Sequence, residues 1–323
     1  LSSSAEGSPL APIVVRAAER GTVRIIVRSD APNPTADGFF VTTPYWVFEN
    51  LIVEGACAAD NHMGCDHGFH LTGNGHHVVI RNNEVVDFNQ PIKGNSEEGL
   101  FPDYALIENN TIHNRTTRST GQFILGVFVQ RPSDWTIRAN HLFLSEASAR
   151  DRTTAIEISG GSRNVVERNL IECDDGAGGV PPSGVRYDAA GGVAQNNIVR
   201  CDTPFVAVSA SELRVAHNTL VRGGIAVSGA AGEVVLHANV SADPASIDGG
   251  SADRVVMTNN VDGDLSVWLA GPPGSLRPVA GPPFEGTARS ETERDYCDEP
   301  RPAQTSLGAV DLVSTCDTSQ PPP

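Results

Sequence analysis

The chain is nearly free of lysine. Of its 23 basic residues, Lys93 is the one lysine and the other 22 are arginine. It contains no run of 18 apolar residues, which excludes a membrane-spanning helix. Apolar residues at a 3.6-residue period over ten or more positions are also missing. That excludes the leucine-rich, ankyrin and helical-hairpin repeats, all of which need such helices. Positive charge is in deficit: the formal net charge is −16. An acidic surface disfavours nucleic acid and anionic membranes, and an acidic polysaccharide could bind only through a local basic groove or a bound cation. No export leader is visible. The opening "LSSSAEGSP" is read as the remnant of one, so a secreted, extracellular or periplasmic protein is expected.

With 323 residues, 39% apolar and 19% charged, the chain is long enough for a large core and is globular. Six cysteines fit three disulfides and an oxidising compartment. The dominant pattern is a recurring asparagine: "RNNEVV" at 81–86 returns as "ENNTIH", "RANHLF", "QNNIVR", "AHNTLV" and "TNNVDG". The last asparagine of each recurrence falls at Asn50, Asn83, Asn110, Asn140, Asn169, Asn197, Asn218, Asn239 and Asn260. The steps are 33, 27, 30, 29, 28, 21, 21 and 21 residues. A period of 20–30 residues marks a stacked repeat. Apolar residues stand three before and two after most of these asparagines, inside short β-branched runs such as "HVVIR" and "EVVLH". Asparagine tolerates the left-handed backbone of a sharp corner, and its amide can bond the asparagine one coil away. The expected fold is therefore all-β: a parallel β-helix, or solenoid, with an Asn ladder at one corner.

Repeats of this kind resemble the right-handed parallel β-helix proteins of the pectin-lyase-like superfamily, over roughly residues 38–264. Residues 1–37 are read as the first coil or two and 265–323 as a Pro/Gly-rich cap and tail, all one domain and expected to be a monomer. Equivalent positions in adjacent coils lie about 4.8 Å apart, within disulfide reach. Cys173 and Cys201 each follow a ladder asparagine by four residues, so they are expected to pair. Cys57 and Cys65 share one loop, which leaves Cys297 with Cys316, although six cysteines allow 15 pairings.

The longer early coils place extra residues in loops at 56–68, 95–103, 114–122, 145–153 and 174–183. These are expected to wall a groove on the N-terminal half. Outward positions on successive strands there are His70, Lys93, Gln130, Glu157 and Arg186, whereas the later segments "FVAVSAS" and "IAVSGAA" carry no charge. The competing reading is an ordinary solvated face. Lys93 stands out because a lysine can give up its proton when desolvated and an arginine essentially cannot. Spacing alone admits zinc at His62, Cys65, His67 and His70, but Cys57 offers Cys65 a disulfide instead. His67 and His70 are accordingly assigned to the groove. Trp135 is a candidate for stacking on a sugar, against the alternative of a core aromatic.

Within the superfamily, the nearest in type are the chondroitinase-B-like and alginate-lyase-like polysaccharide lyases. That resemblance implies β-elimination on a uronate-containing glycan, with Lys93 as base and Arg131 or Arg186 as its partner. It also implies Ca²⁺ held by oxygens from Glu97, Glu98, Asp103 or Glu157. Two other readings stay open: a non-catalytic glycan-binding or surface solenoid, and a glycoside hydrolase using Glu157 and Asp188.

Overall fold

The computed structural model describes residues 5–28, 36–57, 64–115, 125–144, 153–173, 182–265, 294–301 and 307–309, with the backbone of four short strands between 269 and 305. Short β-branched runs separated by turn residues cannot bury both faces locally, so they stack lap upon lap. Among the described residues each lap visits three parallel sheets in turn. One ten-stranded sheet runs from Ile13–Arg16 to Val255–Thr258, a second from Val23–Val27 to Val261–Asp262, and a nine-stranded sheet from Asp37–Val41 to Ser246–Ile247. The two strands before residue 28 sit in the same sheets as the later coils, so the winding begins there. Inward residues form vertical stacks. One is Phe69, Ile92, Val127, Ile156, Val185 and Phe205, all essentially without solvent contact.

The corner between the two ten-stranded sheets divides its work between two residues. The ladder asparagine does not itself turn left-handed. The residue before it does: Asn82, Asn109, Ala139, Arg168, Asn196, His217, Ala238 and Asn259 have φ between 53° and 58°. The ladder asparagine is the hydrogen-bonding member. Asn140 Oδ1 accepts from the amide (2.9 Å) and Nδ2 (3.0 Å) of Asn110. Its own Nδ2 donates to the Ile107 carbonyl and to Asn169 Oδ1. The same pattern runs from Asn83 to Asn260.

Asn50 was expected to be the first rung and is not. It takes the left-handed place itself (φ 66°), and Leu51 holds the rung, its amide bonded to Asn83 Oδ1. A one-residue slip exchanges the two faces of a strand. Phe48 and Val53 are therefore the core residues of that coil, in place of Val47 and Ile52. At the other end of the stack Met257 is exposed, as an end coil requires.

Cys173 and Cys201 form a disulfide with a Cα separation of 4.9 Å, and Cys57 and Cys65 form another at 5.7 Å. Cys297 is also disulfide-bonded, while Cys316 lies outside the described residues. The 173–201 bridge closes a loop of 28 residues. Replacing both cysteines by serine is expected to lower stability by about 3 kcal/mol in a denaturant titration, through the entropy regained by the unfolded chain.

Residues 294–301 and 307–309 pack over the ladder corner, where Arg301 donates to Asn196 Oδ1 and to the Gly308 and Ala309 carbonyls. Beneath them His217 is fully buried, and neither ring nitrogen has a hydrogen-bond partner among the described residues. Burial, together with the nearby Arg301, His237 and Arg214, pushes its pKa down to about 2. An unfolded histidine takes up its proton near pH 6.5. Between these values the unfolded state binds the extra proton, so stability falls as pH drops, by up to about 1.4 kcal/mol per pH unit. His217→Asn suits the left-handed backbone and removes the titrating group. It is expected to flatten this acid limb in pH-dependent unfolding curves.

Candidate functional site

The outer face of the nine-stranded sheet carries the polar strip. In register along one column stand Phe40, His70, Lys93, Phe128, Glu157, Arg186, Val206 and Ala226. A second column, two residues further along each strand, holds Thr72, Asn95, Gln130, Ser159, Asp188 and Val208. His70, Lys93, Glu157 and Arg186 thus share a column as expected. Gln130 belongs to the second column, exposed beside Asn95, and Phe128 takes its place between Lys93 and Glu157. Both columns turn apolar at Val206 and Val208, so the strip ends where the sequence loses its charges.

In chain order four of the five long segments connect the second ten-stranded sheet to this face, and 95–103 follows the strand Ile92–Asn95 on its other edge. Most residues of the four are outside the described set, as is His62.

Strand spacing is about 4.8 Å, so Arg186 stands about 14 Å along the strip from Lys93. The two do not meet at one sugar ring. Arg186 Nη2 binds Asp188 Oδ2 at 2.9 Å, and Glu157 lies beside it in register, buried. Arg131 is exposed at a corner, its backbone left-handed (φ 76°) and its amide bonded to the Ser159 carbonyl on the coil away from Lys93. Lys93 is half-buried and has no hydrogen bond or ion pair among the described residues.

Two expectations need correction. Trp135 has no exposed surface, and its Nε1 donates to the Pro102 carbonyl at 2.7 Å. Its ring fills the space below Gly94, where an added Cβ would lie 2.3 Å from Cζ2. It is therefore core and cannot stack on a sugar. Glu97 and Glu98 are exposed on a turn closed by hydrogen bonds between Glu97 and Leu100, and Asp103 Oδ1 is held by the Ser133 amide at 2.7 Å. These three carboxylates do not converge, and they do not fit a calcium ion, which needs six to eight oxygens.

Among the described residues the three-member group of metal-capable side chains is elsewhere: Asp37, His67 and His70, with one ligand atom from each, all within 4.8 Å. On a regular strand His67 and His70 would face opposite ways. The amides of Gly68 and Phe69 both donate to the Pro91 carbonyl, which marks a bulged start to the strand. The bulge brings the two imidazoles together, with ring centroids 4.3 Å apart. His67 Nδ1 is 2.7 Å from Asp37 Oδ1, and His70 Nδ1 is 3.3 Å from Asp37 Oδ2. Burial alone would raise the Asp37 pKa, but hydrogen bonds and charge from the two histidines outweigh it and hold the carboxyl far below the usual range.

Asp37 was not anticipated from the sequence. Its signal was present: "DGFFV" at 37–41 aligns residue for residue with "HGFHL" at 67–71, placing Asp37 against His67 and Phe40 against His70.

Residues 37–241 match the family described as the right handed beta helix region, more than half of the chain. The chain belongs to that family. The crystal structure of pectate lyase Pel9A superposes with a TM-score of 0.60 at 15% identity, covering 96% of this chain and 82% of that one. At that identity the likeness is one of fold. No curated protein matches the sequence.

Proposed function

We propose that this chain is a polysaccharide lyase that cleaves a uronate-containing glycan by β-elimination, with Lys93 as the base. The observation that carries this reading is Lys93 itself. The chain's one lysine stands in the polar strip of a β-helix, half-buried and without a partner among the described residues. His70 lies in register below it and Phe128 above. A lysine so placed can approach a substrate proton without first breaking an ion pair. It removes the C5 proton and keeps it until it exchanges with solvent; the electron pair forms the C4–C5 double bond as the C4–O bond breaks, and the leaving oxygen takes its proton from water.

Gln130, exposed in the second column, suits sugar hydroxyls. Arg186, three strands away, suits the carboxylate of a sugar further along the polymer rather than that of the ring being cleaved. A Ca²⁺ requirement has no support from the Glu97, Glu98 and Asp103 positions. The disulfides support an exported protein acting in an oxidising compartment, and no described helix is long and apolar enough to cross a membrane.

Alginate, pectate and glycosaminoglycan panels should show rising ultraviolet absorbance from unsaturated product on one of them. Binding to a uronate without absorbance, unchanged in Lys93→Ala, would instead establish a non-catalytic glycan-binding solenoid.

A further inference from the structure

We propose that Asp37, His67 and His70 bind a divalent first-row transition-metal ion. His70 Nε2 lies 2.6 Å from Asn95 Oδ1. The Asn95 amide is oriented by its own nitrogen, which donates to Thr72 Oγ1 at 3.2 Å and to the Ser96 carbonyl at 3.1 Å. Its oxygen therefore faces His70, and His70 Nε2 carries the hydrogen. His67 Nε2 faces Gln90 Oε1 at 3.2 Å, with Asp66 Oδ2 3.4 Å away.

With Nε2 turned to an amide oxygen on each ring, Nδ1 is the nitrogen turned to the Asp37 carboxylate, at 2.7 and 3.3 Å. The three side chains thus offer one ligand atom each within 4.8 Å of one another, on rings 4.3 Å apart of which one has 3% and the other 15% of its side chain exposed.

The remaining geometry agrees. Metal–nitrogen and metal–oxygen bonds of about 2.0–2.2 Å hold neighbouring donors roughly 3 Å apart. Metal-binding histidines characteristically donate their other N–H to a carboxylate or amide oxygen, the arrangement Gln90 and Asn95 provide. Two imidazoles and one carboxylate select zinc, iron, cobalt or nickel over calcium, which wants oxygens throughout. Asp37 and His70 each keep about one-sixth of their side-chain surface open. The ion would thus retain positions facing the strip, suited to an anionic oxygen ligand such as a sugar carboxylate. The site stands or falls independently of any lyase activity.

The test uses the untagged full chain after chelator treatment. Co²⁺ is titrated while visible absorption is followed, and Zn²⁺ is titrated calorimetrically. One equivalent of each is expected, with Zn²⁺ displacing Co²⁺ and millimolar Ca²⁺ displacing neither. His67→Gln and His70→Gln should each abolish the cobalt spectrum, and Asn95→Ala should weaken binding by about 10-fold by releasing the His70 ring. His76→Ala, at the unrelated His76–His77 contact, should change nothing. The absence of a stoichiometric cobalt complex would overturn the site, as would binding that survives both glutamine variants, tracks His76 or yields to Ca²⁺. Should a glutamine variant fail to fold, Asn95→Ala at full wild-type affinity overturns it equally.

Discussion

Lys93→Ala is expected to slow unsaturated-product formation by about 10²–10⁴-fold, the usual contribution of a positioned general base. Thermal unfolding should stay where it is. Lys93 is half-buried on the outer face and makes no hydrogen bond or ion pair among the described residues, so its removal leaves no orphaned group. Lys93→Arg separates two explanations. If the residue merely supplies positive charge to hold an acidic polymer, arginine restores activity. If it takes a proton, arginine does not, because guanidinium keeps its own. The expected outcome is that Lys93→Arg binds the glycan and does not cleave it. Cleavage by Lys93→Arg at near the wild-type rate would remove Lys93 from the role of base.

Asn140→Ala is expected to destabilise the fold by about 3–5 kcal/mol, far more than a surface substitution. The side chain is fully buried at mid-ladder. Its loss strands the amide of Asn110 and one of the two Nδ2 hydrogens, the other keeping its bond to the Ile80 carbonyl, and takes from the Ile107 carbonyl the bond it accepts from Asn140 Nδ2. Each buried polar group left unpaired costs about 1–3 kcal/mol. Ala139 beside it gives the contrast. It holds the left-handed turn at φ 53° and makes no ladder bond, so Ala139→Asn, which suits that conformation, should be neutral or stabilising. Equilibrium denaturation of the two variants compares the corner's two tasks directly. Equal effects would mean that the ladder bonds contribute little.

How much of this was readable beforehand varies by residue. The pairing of Cys173 with Cys201 was readable because stacking converts equal offsets from the ladder into adjacency, here 4.9 Å between Cα atoms. His70, Lys93, Glu157 and Arg186 were readable as one strip for the same reason. Trp135 was not: its burial follows from the space left by Gly94 on a neighbouring coil, a fit between side chains that no spacing encodes. The failure of Glu97, Glu98 and Asp103 to converge reflects a turn closed by its own hydrogen bonds and a carboxylate already engaged by Ser133. Asn50 misled because two asparagine-tolerant places adjoin at every corner, and in that coil the asparagine occupies the turning place and Leu51 the bonding one.

The winding, the ladder and the staple were written in a linear period, because a solenoid makes contacts mainly between neighbouring laps and a lap has a countable length. The grouping of Asp37 with His67 and His70 was settled in space. It depends on a single bulge that turns His67 onto the face of a residue three positions away, and such a local break in alternation leaves no mark in the repeat that surrounds it.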